Sequence, residues 1–222
     1  METPQQEYGT VGPQLVVWQK RPCYILGGGP SLLPWQSKLW DLHQKGNVIC
    51  VNDSYKRMNS PDLIVTLDHL WLEKNIEQIK WMSAPVIAAV DESNPRIPSS
   101  NLTYLKRLHR SGMNVEARFS DNPGELINGM NSGHAALQVA YLKGAKLIYL
   151  LGFDFKEIAD KTHFHAGYPW HNRDNSKRLY PVWAEAFKYT LPQLKMAAVE
   201  VFNCSGDSLL TVFPFKAYSE VL

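Results

Sequence analysis

Short apolar runs rich in β-branched residues recur along the chain at residues 23–26, 48–51, 63–67, 85–90, 146–151 and 199–202. They are continuous rather than alternating, which marks strands covered on both faces, as in a parallel sheet. Between the first two runs, residues 31–45 carry Leu32, Trp35, Leu39 and Leu42 at helical spacing, with Pro34 tolerable in the first turn and Gly46 as the stop. That is the pattern of a βαβ unit. A second helix is predicted over 132–143, where Ala135, Ala136, Leu137, Val139, Ala140 and Leu142 form a broad apolar face before Gly144. A third is predicted over 179–198, interrupted at Pro192, whose missing N–H ends or kinks a helix. Alternating strands and helices select an α/β fold, a Rossmann-like doubly wound, mostly parallel sheet with helices on both faces. Ligands in such sheets bind at the carboxyl ends of the strands, near the topological switch.

Two stretches lack periodicity. Residues 91–101 hold Pro95, Pro98 and several serines, and residues 155–178 are polar, rich in His and aromatic residues, and too long for an ordinary connection. The second reads as a lid-like insertion. Residues 1–13 are polar and acidic and read as a flexible segment, leaving 14–222 as a single domain, since two would each have a thin core. The 23 Lys and Arg nearly balance the 21 Asp and Glu, so the totals give no strong signal for nucleic acid or an anionic membrane. No run approaches the ~20 apolar residues of a spanning helix, and no leader pattern is visible. Cys23, Cys50 and Cys204 sit at or inside apolar runs without paired spacing, which suits buried thiols in a reducing, cytoplasmic setting.

Chemistry concentrates at the predicted strand ends. Gly27, Gly28, Gly29, Pro30 and Ser31 follow the first strand and open a helix, a place where backbone N–H groups can meet a phosphate. A tight turn is the plainer alternative. Asn52 and Asp53 end the second strand and Asp68 the third, positions suited to a ribose, base or metal, or simply to an Asx turn and a helix cap. Asn131, Ser132 and Gly133 open the second helix in the same manner. Gly152, Asp154 and Phe155 close the strand that begins at Lys146, placing a carboxylate at its tip. The lid carries His163, His165, His171, Arg173, Lys177 and Arg178, so a histidine can serve as a base and cations can steady a leaving phosphate. His163 and His165 also invite a metal, but no Cys or carboxylate stands at familiar ligand spacing beside them.

These residues, together with Ile148 to Phe155 and Cys204 to Leu210, resemble in their order the bacterial sialyltransferases that use a CMP donor, and their relatives, the MptE-like (6-hydroxymethylpterin diphosphokinase-like) proteins. The resemblance spans nearly the whole chain. It implies that Gly27 to Ser31 and Asn52 hold the nucleotide, that Asp68 contacts the donor, and that Ser132, Gly133, Gly152, Asp154 and Phe155 complete the site. It also implies a histidine general base ahead of a long helix, with His171 the best match and His165 the second. Three positions depart from the sialyltransferase pattern. Gly28 stands where that family has Asn, Gly129 where an Arg grips the donor carboxylate, and Lys156 where a tyrosine steadies the leaving phosphate, a charge that the lysine can neutralise instead. The nucleotide site is kept and the sialic acid site is not. The expected function is a nucleotide-dependent transferase, glycosyltransferase-like, using a nucleotide-sugar donor without a metal. The alternatives are an MptE-like pyrophosphokinase holding Mg²⁺ through Asp53, Asp68 or Asp154, and a non-catalytic nucleotide-binding module. The sequence leaves open the acceptor and whether the chain is a homo-oligomer.

Overall fold

The computed structural model describes residues 18, 21–91, 93–108, 118–169 and 173–222. Strands β1 (Cys23–Leu26), β2 (Asn47–Val51), β3 (Leu63–Thr66), β4 (Val86–Ala88), β5 (Leu102–Tyr104), β8 (Leu147–Leu151) and β9 (Glu200–Asn203) form one sheet in the order β5-β4-β3-β2-β1-β8-β9. Every pairing in it is parallel. Two further short strands, β6 (Lys106–Leu108) and β7 (Glu125–Ile127), pair with each other beside it.

Side chains alternate across a strand, so continuous apolar runs feed two separate cores. Ile25, Ile49, Val65, Ile148 and Leu150 point to one face, where they meet Ala135, Ala136, Val139 and Ala140 of helix α3 (Ser132–Leu142) together with Phe187 and Leu194. On the other face Leu26, Val48, Cys50, Ile64 and Leu151 meet Leu32, Leu39 and Leu42. That face also packs against Trp71, Leu72 and Ile79 of helix α2 (His69–Ile79). The alanines of α3 let that helix lie close to the sheet. The thiols of Cys23, Cys50 and Cys204 are free and buried, and burial pushes each of them up, Cys50 and Cys204 to about 12.

The doubly wound fold matches the residue pattern, with four local differences. The helix expected over 31–45 is broken into a 3₁₀ stretch Pro30–Trp35, a single turn α1 (Gln36–Leu39) and a second 3₁₀ turn Leu42–Gln44, because Pro34 removes a helical donor in mid-segment. Helix α2 is absent from the expectation, although Asp68 caps it and Leu72, Ile76 and Ile79 repeat at helical spacing. Helix α4 (Arg173–Glu185) starts inside the stretch expected to be lid, which shortens the irregular segment to about residues 155–169. The break before α5 (Leu191–Met196) is a 3₁₀ stretch Ala186–Thr190; Pro192 sits in the first turn of α5, where its missing donor costs nothing. The chain ends in a short helix, α6 (Tyr218–Val221). Among the described residues no helix is long and apolar enough to cross a membrane. The expectation for residues 1–13 lies outside the described residues.

Candidate functional site

The sheet order reverses between β1 and β8. The chain leaving β1 packs Leu32 and Leu39 on one face, and the chain leaving β8 packs Phe187 and Leu194 on the other. A crevice must open where the two connections part. It is occupied by a cavity of about 690 Å³ lined by the turns after β1, β2, β3 and β8, the start of α3 and one side of α4.

The structure gathers most of the expected site. Gly27, Gly28, Gly29, Asn52, Asp68, Asn131, Ser132, Gly133, Gly152, Asp154 and Phe155 all line this cavity. The glycines are there for close approach: a Cβ on Gly27 would lie 2.5 Å from the Gly152 carbonyl oxygen, and one on Gly29 only 2.2 Å from Asp154 Oδ2. The amides of Gly27, Gly29 and Ser31, however, are spent within the chain. Gly27 N–H donates to Leu151 O at 2.7 Å, Gly29 N–H to Gly152 O at 2.9 Å and Ser31 N–H to Asp154 Oδ2 at 2.9 Å. Gly27 and Gly29 thus meet backbone carbonyls, and the anion that the Ser31 amide meets is the chain's own carboxylate.

Several candidates already carry structural duties. Asp68 accepts from Trp71 N–H and caps α2; Asn131 accepts from His134 N–H and caps α3; Ser132 Oγ accepts from Leu67 N–H and ties α3 to the end of β3. Ser31, Asp53, Lys156 and His165 stand outside the cavity lining. The Asp53 carboxylate pairs with Lys56 and accepts from the Trp71 indole, and Lys156, expected to steady a leaving phosphate, is paired with Asp207. Lys177 is likewise paired, with Glu157 at 2.8 Å.

The lid is strapped over the glycine turn. Phe164 N–H donates to Gly28 O at 2.9 Å, Arg57 donates to Phe164 O at 3.2 Å with its guanidinium 4.4 Å above the Phe164 ring, and the Tyr168 hydroxyl accepts from Asp53 N–H. This strap sets His163 against Gly28, where it lines the cavity, with its Nδ1 2.9 Å from Thr162 Oγ1. His165 turns into a smaller pocket with Lys161 and Thr162, and burial pushes its pKa down. His171, the residue best matched as a base by resemblance, lies outside the described residues.

Five buried polar atoms around the cavity have no hydrogen-bond partner among the described residues: Asn52 Oδ1, His69 Nδ1, Arg107 Nε, Asp154 Oδ1 and Trp183 Nε1. Buried polar groups are almost always paired, so orphans gathered around one cavity are groups available to a ligand or water. His69, Arg107 and Trp183 escape the sequence reading. Arg107 sits on a three-residue strand without a strong pattern. Trp183 could be found from α4, whose Asn175, Ser176, Leu179, Tyr180 and Trp183 line the cavity at helical spacing. Among the described residues no cluster of three or more His, Cys, Asp or Glu is placed to hold a metal.

Burial pushes the Asp154 carboxyl above the usual range, opposed by hydrogen bonds from Ser31 and Ser205 and by Lys156. The folded chain therefore binds this proton more tightly than the unfolded chain, and stability falls as pH rises from ~3.9 through the raised folded-state value. Asp154→Asn keeps an oxygen for Ser31 N–H but has no proton to lose. Urea titrations across that acid range should show the variant gaining on the wild type as pH rises; parallel curves would mean that the buried carboxyl costs the fold nothing.

A model of the family described as 6-hydroxymethylpterin diphosphokinase MptE-like matches residues 9–160. No match to a curated protein was found. Among solved structures, the MAf glycosyltransferase from Magnetospirillum magneticum AMB-1 aligns with a TM-score of 0.53 at 18% identity, covering 85% of this chain and 32% of that one. The likeness is one of fold, and the chain spans about a third of that neighbour's length.

Proposed function

The chain belongs to the 6-hydroxymethylpterin diphosphokinase MptE-like family, and from that premise we propose that it is a nucleotide-dependent transferase whose donor is a nucleotide sugar seated in the cavity at the sheet's switch point. The observation that carries this reading is the ring of orphaned buried polar atoms, Asn52 Oδ1, His69 Nδ1, Arg107 Nε, Asp154 Oδ1 and Trp183 Nε1, around one cavity of nucleotide size. Gly27, Gly28, Gly29 and Gly133 keep its floor low, so a planar or phosphorylated ligand can approach the backbone. Asn52, Ser132, Asp154 and Phe155 then surround the nucleotide.

In this reading a lid histidine is the general base. It takes the proton of an acceptor hydroxyl; the acceptor oxygen bonds to the sugar's anomeric carbon, and the bond from that carbon to the donor phosphate oxygen breaks, the nucleotide leaving with the electron pair. Of the lid histidines described, His163 is the one that lines the cavity.

A second reading draws on the family's own description, which names a diphosphokinase. The carboxylates of Asp68 and Asp154 line the cavity and could bind Mg²⁺ against ATP phosphates, whereas Asp53 is turned away. A thermal-shift panel of CMP, UDP, GDP, ADP and ATP, each with and without Mg²⁺, separates the two, because a ligand selective for the native state raises the melting temperature. The transferase reading expects a rise with a nucleoside mono- or diphosphate without metal. A rise only with ATP and Mg²⁺ would move the assignment to the pyrophosphokinase, and no rise with any nucleotide would refute both.

A further inference from the structure

Among the described residues, the cavity lining contains a single Lys or Arg, Arg107. Of the cations nearby, Lys156 is turned to Asp207, Lys177 to Glu157, and Arg57 to the backbone of the strap. Arg107 projects from β6 to Leu67 at the end of β3 and Asp91 after β4, two to three strands along the sheet from the glycine turn. Its side chain is only 17% exposed, and burial pushes its pKa down while the nearby Asp91 and Asp68 carboxylates push it back up.

The guanidinium is held at one corner. Its Nη1 donates to Leu67 O at 3.3 Å and stands 3.7 Å from Asp91 Oδ2, beyond the length of a good hydrogen bond, while Nε is buried with no partner. Guanidinium offers five N–H donors in a rigid fork suited to a two-oxygen anion, and among the described residues the Leu67 carbonyl and the more distant Asp91 carboxylate engage only its Nη1. Asp91, itself 43% exposed at the cavity mouth, can exchange this loose pairing for water at little cost.

We propose that Arg107 is the specificity-determining cation of the site, binding a further anionic group of the nucleotide ligand, a carboxylate on the transferred sugar or a terminal phosphate, with Asp91 holding that place until the ligand displaces it. This inference rests on the nucleotide reading above. Where the ligand's phosphate lies near the glycine turn, the fork meets a group two to three strands further along the cavity. A neutral sugar would leave Arg107 bound to Asp91 and gain nothing from it.

Calorimetric titrations of the wild type, Arg107→Met, Arg107→Lys and Asp91→Asn test this with matched ligands. Mono-, di- and triphosphates of each base probe for a phosphate, and UDP-glucose against UDP-glucuronate probes for a carboxylate. The wild type should prefer the more anionic member of at least one such pair by about 10- to 100-fold, as expected for hydrogen bonds to a charged group. Arg107→Met should abolish that preference while leaving the less anionic member within about threefold, and Arg107→Lys should restore only part of it, since an ammonium lacks the fork. Asp91→Asn, which keeps the arginine, should widen the preference by removing its competitor. A wild type without the preference, a preference that survives in Arg107→Met, or one that narrows in Asp91→Asn overturns the role of Arg107 and leaves nucleotide binding standing. Failure of the wild type to bind any nucleotide overturns both.

Discussion

A His163→Gln variant should transfer its group about 100- to 10,000-fold more slowly than the wild type while keeping the rise in melting temperature that a bound nucleotide confers. The first half of this expectation follows from position. The strap from Phe164 N–H to Gly28 O fixes the lid over the glycine turn, and the His163 ring then lies against Gly28 at the edge of the cavity. Glutamine is close in size and can still reach the Thr162 hydroxyl, so the strap should stay closed and binding should be spared. His165→Gln is the control. That ring is turned into the neighbouring pocket among Phe164 and Tyr168, and burial already favours its neutral form, so its replacement should change lid packing more than rate. Single-turnover rates with saturating donor distinguish the two. A His163→Gln rate within a few-fold of the wild type would transfer the role to His171.

The largest loss of stability is expected from Gly152→Ala. Gly152 sits in the left-handed region at φ +73, which costs an alanine roughly 1–2 kcal/mol. Space is also lacking: an added Cβ would lie 2.7 Å from Leu32 Cγ and 2.9 Å from Leu32 Cδ1 in the fully buried core of that face. Overpacking of this kind adds about 1–3 kcal/mol. The backbone cannot simply yield, because Gly152 O accepts from Gly29 N–H and Gly152 N–H donates to the Tyr218 hydroxyl, tying together the ends of β1 and β8 and the C-terminal helix α6. A total loss of roughly 2–5 kcal/mol in urea unfolding is therefore expected. Gly167→Ala separates the causes. Its φ is also positive, +86, but its nearest contact would be Thr162 Oγ1 at an ordinary 3.8 Å, so it should lose only the backbone part. Equal losses in both variants would mean that Leu32 moves aside freely.

What could be read from residues alone follows a physical divide. The strands Cys23–Leu26, Asn47–Val51 and Leu147–Leu151 are buried on both faces, so their sequences are nearly all apolar and hard to mistake. Strands β6 and β7 are three residues long and half polar, and such segments are held by tertiary pairing rather than by a pattern of their own. The same divide runs through the site. Residues at the ends of legible strands, such as Asn52, Asp68 and Asp154, could be placed in the cavity from their position alone. Arg107 could not, since nothing in Lys106 to Leu108 shows that this strand would be folded beneath β3. Direction is the other gap. Sequence position puts Asp53 beside Asn52, but only the fold shows Asp53 turned to the Trp71 indole and Lys156 turned to Asp207.

The strand order also decides when the site can exist. Strands β1 to β5 are laid down in sequence, each against its predecessor, through short crossovers whose loop-closure cost is small. Leu26, by contrast, must find Leu151 across the whole of that half of the chain. Contacts so distant in sequence are gained late, when a partly ordered sheet is already there to receive them. A nascent chain can therefore hold the five-stranded half with β1 as a bare edge, apolar and unpaired, before β8 arrives to cover it. Gly152, Asp154 and Phe155 come in with β8, so the cavity lacks the wall they form until that last central strand docks.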